Sequence, residues 1–188
     1  LRVDGKVGKL NALLDFGAGT LSAGPESYPV SYSEAKTYFT YHPKDARLDI
    51  SRASIKSDWG ALSAEGYALL QQGGASQSRS SGMVLHLDLD RAVFDKTPWW
   101  PEPLRVTRAT GQLKLNYDPL TLDLGLVQAE VNGADLSLSG HAVLTPLGWS
   151  YDGQGRVPSV DTQTLMTLWP DMLKSKSRRW FGQNVRKG

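Results

Sequence analysis

The chain has no cysteine. That excludes disulfide staples, zinc thiolates and thiol nucleophiles together, and it selects neither an oxidising nor a reducing compartment. Histidine is scarce too. None of the three (His42, His86, His141) has a second histidine or a carboxylate at a metal-ligand spacing. No apolar run approaches the ~20 residues that span a bilayer. No Gly-x-Ser-x-Gly elbow, P-loop or Gly-x-Gly-x-x-Gly before a helix is present. Asp88, Asp90 and Asp95 lack the glycine of a calcium loop, and Leu89 stands in strand alternation between the first two. The chain is therefore read as non-catalytic, without metal or cofactor. No start Met or signal peptide is visible, and Leu1 opens into a segment that reads as mid-strand. The chain is expected to be a piece of a longer protein, in which case absent targeting signals are uninformative.

An apolar content of 40% over 188 residues is enough for a folded core in one large or two small domains. The charge is unevenly placed. Residues 165–188 hold six Lys/Arg against Asp171, while the remainder holds 15 basic and 18 acidic side chains. A mildly acidic body with a basic tail argues against nucleic acid as partner.

Alternation with a period of two dominates the body. Met83, Leu85, Leu87 and Leu89 alternate with Val84, His86, Asp88 and Asp90. Leu113, Leu115 and Tyr117 follow, then Leu120, Leu122, Leu124 and Leu126, then Leu136 and Leu138. This period puts the leucines of each run on one face of a sheet that is apolar on one side and wet on the other. The strands are expected to be ~7 residues long, about 24 Å. Turns are predicted at Asp4-Gly5, His42-Pro43, Asp118-Pro119, Asn132-Gly133 and Asp152-Gly153. Tyr41-His42-Pro43, Leu48-Asp49-Ile50 and Leu62–Gly66 recur as Tyr117-Asp118-Pro119, Leu122-Asp123-Leu124 and Leu136–Gly140, the pattern of a repeated strand unit. The expected division is an antiparallel β-repeat module over 1–158, with copies at about 38–69 and 113–143 and a flexible loop at 71–81. A helical segment occupies 159–188. Ser33–Tyr38 is the one other stretch suited to a helix. In the Pro-stiffened segment Thr97–Pro103, Trp99 and Trp100 suit either a fold-back over the core or an interfacial contact.

In the terminal segment, Ser159 or Asp161 can cap a short helix over Thr162–Leu168, which Pro170 stops. Asp171 can cap a second helix to about Val185, roughly 22 Å long, with Leu173, Trp180, Phe181 and Val185 on one arc and Arg179 opposite. Three readings compete for it: packing on the sheet, contact with anionic lipid headgroups, and, last, contact with nucleic-acid phosphates.

Leu168-Trp169-Pro170, Arg179-Trp180, Asn184 and Gly188 together resemble the Trp-Pro … Arg-Trp … Asn … Gly signature of the AsmA-like superfamily, most closely its YhdP-type (DUF3971) group. Phe181 departs from the smaller β-branched residue expected there, and the family continues in further strands beyond the glycine. The resemblance implies a module of a large Gram-negative envelope protein, anchored in the inner membrane and extending through the periplasm. It implies an elongated, curved antiparallel β-groove that shields lipid acyl chains in phospholipid transport or outer-membrane homeostasis. The leucine face, Leu85, Leu87, Leu89, Leu113, Leu115, Leu122, Leu124, Leu136 and Leu138, is the candidate lipid surface. Trp99, Trp100, Trp169, Arg178, Arg179, Trp180 and Phe181 are candidate membrane or packing contacts. The alternative is a structural or assembly scaffold that binds other envelope proteins.

Overall fold

The alternating runs form one antiparallel meander. The computed structural model describes residues 2–3, 6–21, 29–72, 80–95, 100, 102–146, 148–171 and 173–185. A short ribbon, β1 (Arg2–Val3) and β2 (Lys6–Val7), precedes the main sheet. That sheet contains β3 (Leu10–Phe16), β4 (Gly19–Leu21), β5 (Val30–His42), β6 (Arg47–Ser57), β7 (Gly60–Gln72), β8 (Ser80–Phe94), β9 (Leu104–Tyr117), β10 (Leu120–Val131), β11 (Ala134–Thr145) and β12 (Gly148–Arg156). From β5 to β12 each strand pairs with the next, and β3 and β4 both pair with the outer edge of β5. Two helices follow, α1 (Thr162–Leu168) and α2 (Ser175–Asn184). The result is a curved, open, ten-stranded sheet with helices only near the C-terminus.

Most of the long strands are nearly twice the expected length: β8 runs 15 residues, about 50 Å. Two segments differ from expectation for the same reason. Ser33–Tyr38 lies within β5, where its β-branched and aromatic residues continue the ladder to β6. Asp152-Gly153 lies inside β12, where Gly153 pairs with Gly140 in an unbroken register. In both places continuous pairing with a neighbour overrides local turn or helix preference. The turns at His42-Pro43, Asp118-Pro119 and Asn132-Gly133 form, and a further one forms at Asp58-Trp59. Asp4-Gly5 and most of the 71–81 segment lie outside the described residues.

The curvature has a local cause. Register shifts place one extra residue in β6 at Ser51, in β8 at Asp90, in β9 at Thr107 and in β10 near Gly125. A bulge bends its strand and increases the twist. Those of β6 and β10 are equivalent: Ile50 pairs with Gly66 just before one, and Leu124 with Gly140 just before the other.

Residues paired across antiparallel strands share a face. Leu10, Tyr41, Leu48, Ala68, Leu85, Leu113, Leu124, Gly140 and Gly153 form one continuous row from β3 to β12, about 38 Å across eight strand spacings. The buried core lies on that apolar face and is small: Ala64, Ala68, Ala92, Leu104, Val106, Val131 and Ala134.

Candidate functional site

All nine candidate leucines lie on the apolar face, but in two environments. Leu89 and Leu136 pack with Ala92, Leu104, Val106 and Val131 at one end, beneath Trp100 and Leu168. Leu85, Leu87, Leu113, Leu115, Leu122, Leu124 and Leu138 lie toward the other end. No further helix or strand among the described residues packs extensively across them. Exposure rises toward the sheet edges, to 44% at Leu14, 41% at Leu138 and 81% at Tyr151. Between the edges runs a floor of small residues, Ala64, Gly66, Ala68, Ala109 and Gly111. Among the described residues the sheet thus presents a partly exposed apolar strip, closed at one end.

Leu126 departs from its run. The bulge near Gly125 shifts the phase of β10, so Leu126 turns to the polar face beside Tyr67, His86 and Gln128 and is 64% exposed. Its place opposite Gly111 on the apolar face is taken by Val127.

The closed end is built by the terminal segment. Asp161 caps α1, accepting from the backbone N–H groups of Gln163 and Thr164 at 2.9 and 3.0 Å. The Thr164 hydroxyl, then those N–H groups, hold the Asp161 carboxyl below its ordinary range. Trp100 Nε1 donates to the Leu168 carbonyl at 2.8 Å, and Thr167 donates to Glu102 at 3.1 Å. These bonds fasten α1 to the chain leading into β9. Trp99 lies outside the described residues.

The second helix begins later than expected. Lys174 occupies its N-cap with a left-handed backbone and no side-chain cap. Asp171 instead meets Arg178 at 2.9 Å. Arg178 also donates to the carbonyls of Trp169 and Met166 at 3.0 and 3.1 Å, binding the end of α1 to α2. Trp169 donates to Leu173 and packs on Phe181 with ring centroids 6.2 Å apart. Trp180 is 62% exposed and outside this packed unit, because neighbouring helical residues point about 100° apart. Arg179 and Trp180 are therefore the outward-facing members of the segment, while Trp169, Arg178 and Phe181 turn inward.

The polar face gathers residues from distant strands. His42 Nε2 lies 2.9 Å from Asp49, and Arg47 donates to the same carboxylate at 2.6 Å. The Arg47 guanidinium, with His42 second, holds Asp49 below the usual carboxylate range. Arg47 also sits 4.1 Å above the Tyr67 ring, which stacks on His86 at 4.5 Å. His141 contacts Asp123. Two histidines thus meet carboxylates that spacing did not reveal, because each pair joins different strands. Among the described residues no hydroxyl hydrogen-bonds to either imidazole, and no group of three or more His, Asp or Glu is arranged to hold a metal ion.

Hollows open over the polar face. One of about 830 Å³ is lined by Asp88, Arg108, Gln128 and Asp135, and another of about 420 Å³ by Glu34, Lys36, Arg52 and Arg91. Hydrogen bonds from Lys36 and then Lys56 hold the Glu34 carboxyl low, and Glu34 raises the Lys36 ammonium in return.

Among the described residues no helix is long and apolar enough to cross a membrane. No protein-family model, curated protein or solved structure matches the chain.

Proposed function

We propose that this chain is a non-catalytic module that shields lipid acyl chains along its apolar face, as part of a longer periplasmic protein anchored in the inner membrane. The observation that carries the reading is the continuous strip from β3 to β12, in which Leu85, Leu113, Leu115, Leu122 and Leu124 are half-buried and which, among the described residues, is covered only at one end. Apolar area of this extent left open to water normally marks a binding surface. Bent strands with a floor of alanine and glycine make room for a chain-like apolar ligand. The Trp-Pro … Arg-Trp segment supports the same reading through its resemblance to the AsmA-like superfamily. On that reading phospholipid is the cargo, and the exposed Arg179 and Trp180 offer a contact to an anionic membrane surface.

The test is photo-crosslinking from positions 85 and 113 in protein expressed in a Gram-negative envelope, with native mass spectrometry of the same material. Phospholipid adducts at both positions, lost when Leu115→Gln and Leu124→Gln are added on the same face, are the expected result. Protein adducts without lipid would replace this reading by the scaffold alternative. Absence of either adduct would remove the apolar face as a site.

A further inference from the structure

The hollow of about 420 Å³ lies over β5–β8 on the face opposite the leucines, and it is built from one ladder row. Lys36 pairs with Ser54, Ser54 with Ser63, and Ser63 with Arg91. Two hydroxyls on the central strands thus lie between two long cations on the outer ones. Adjacent strands stand about 4.8 Å apart, so the outer backbones are roughly 14 Å apart, within the combined reach of a lysine and an arginine. Arg52, paired with Tyr38, and Lys56, paired with Ala61, flank the row and line the same hollow.

Four cations therefore face one lining carboxylate, Glu34. Glu34 is engaged by Lys36 at 2.7 Å and Lys56 at 3.2 Å, and Asp15 reaches Lys36 from β3 at 3.6 Å. Arg52 and Arg91 have no carboxylate within ion-pair distance among the described residues. Among the described residues, two guanidiniums without a carboxylate partner therefore stand beside serine hydroxyls, in a body with more acidic than basic side chains. Solvent screens much of the repulsion between such exposed charges, and an anion placed between them would be attracted by both. The guanidinium fork and the serine O–H donors match a tetrahedral oxyanion, which offers several acceptors at once.

We propose that this hollow binds a phosphate group, held by Arg52 and Arg91 with Ser54 and Ser63 beneath it. Lys36 and Lys56, placed by Glu34, add positive charge at the rim. The ligand chemistry is a phosphate monoester or free phosphate, and its two sources are a lipid headgroup and a soluble anion. The site lies on the face opposite the apolar strip and does not depend on what that strip binds.

The test follows the backbone amide shifts of Ser54 and Ser63 in the 188-residue chain during titration with inorganic phosphate. In parallel, cosedimentation is measured with phosphatidylcholine vesicles with and without phosphatidic acid. Saturable shifts with inorganic phosphate, weakening as chloride rises, are expected. Cosedimentation that needs phosphatidic acid and is lost in Arg52→Gln but kept in Arg179→Gln assigns the headgroup as a source; shifts without such cosedimentation assign the soluble anion. Arg52→Gln and Arg91→Gln should each weaken binding about tenfold or more. Both side chains are exposed, so the fold is expected to survive, with circular dichroism as the check. Ser63→Leu keeps every charge but fills the floor, and should abolish binding. No response to phosphate or to phosphatidic acid would overturn the proposal. So would wild-type affinity in either arginine variant, or in Ser63→Leu, which would reduce the hollow to diffuse surface charge.

Discussion

At the residue scale, the glycines of the sheet divide by what surrounds them. Gly66, opposite the β6 bulge, has φ +155°, and a Cβ there would stand 2.0 Å from the His86 carbonyl oxygen. That oxygen is backbone of the neighbouring strand and cannot move without breaking the β7–β8 ladder. Gly133, in the β10–β11 turn, has φ +79° and open space around its Cβ position. Gly66→Ala should therefore prevent folding or cost well over ~2 kcal/mol, whereas Gly133→Ala should cost only the left-handed strain, ~1 kcal/mol. Urea midpoints of the two variants measure the difference; equal midpoints would mean that β7 and β8 can separate locally. The sequence marks Gly133 directly, through Asn132-Gly133. Nothing local distinguishes Gly66, whose constraint comes from a strand twenty residues further on.

At the scale of elements, the helical segment is a fastened end piece. Asp161, whose folded-state carboxyl is held low, contributes stability above the unfolded carboxylate value, and that contribution is lost as pH falls through the lower folded value. Protection of the Gln163 and Thr164 amides, measured against the intrinsic exchange rate at each pH, should fall as pH drops through the lowered Asp161 value, and Asp161→Ala should show the weaker protection already at neutral pH. A flat pH profile in the parent protein would show that the cap does not hold α1. Arg178 joins the two helices through two carbonyls and Asp171, with its side chain 22% exposed. Arg178→Gln should cost about 1–2 kcal/mol and expose the α1–α2 connection to trypsin, whereas Arg179→Gln should leave stability unchanged. The α1 boundaries were legible in the sequence and its cap was narrowed to Ser159 or Asp161, since capping chemistry and proline are local; the fold selects Asp161. The start of α2 was not, because Asp171 is drawn to Arg178 rather than to the helix N-terminus.

For the whole molecule, stability and binding surface occupy different ends of one apolar face. Leu104 is 8% exposed in the cluster under Trp100 and Leu168. Leu104→Ala should cost ~2–4 kcal/mol through transfer and cavity terms. Leu113→Ala, on the open half, should cost about 1 kcal/mol. Thermal or denaturant unfolding checks the ratio, and equal losses would mean that the open half is covered in solution. A sheet with so little buried core holds together through its ladders, each strand hydrogen-bonded to the next along most of its length. That is why a long open apolar face is tolerated.

The sequence by itself determined the mainly β class, the shared face of the leucines, and the turns at His42-Pro43, Asp118-Pro119 and Asn132-Gly133. It also determined a short capped helix ending at Pro170. These follow from side-chain period and local backbone chemistry. Tertiary structure alone decided the strand lengths and the bulges that turn Leu126 to the polar face. It decided the closing of one end by α1 and Trp100, and the meeting of Lys36, Ser54, Ser63 and Arg91 in one row. Each of these depends on register between strands, which is set by pairing along the whole sheet and leaves no mark in any single segment.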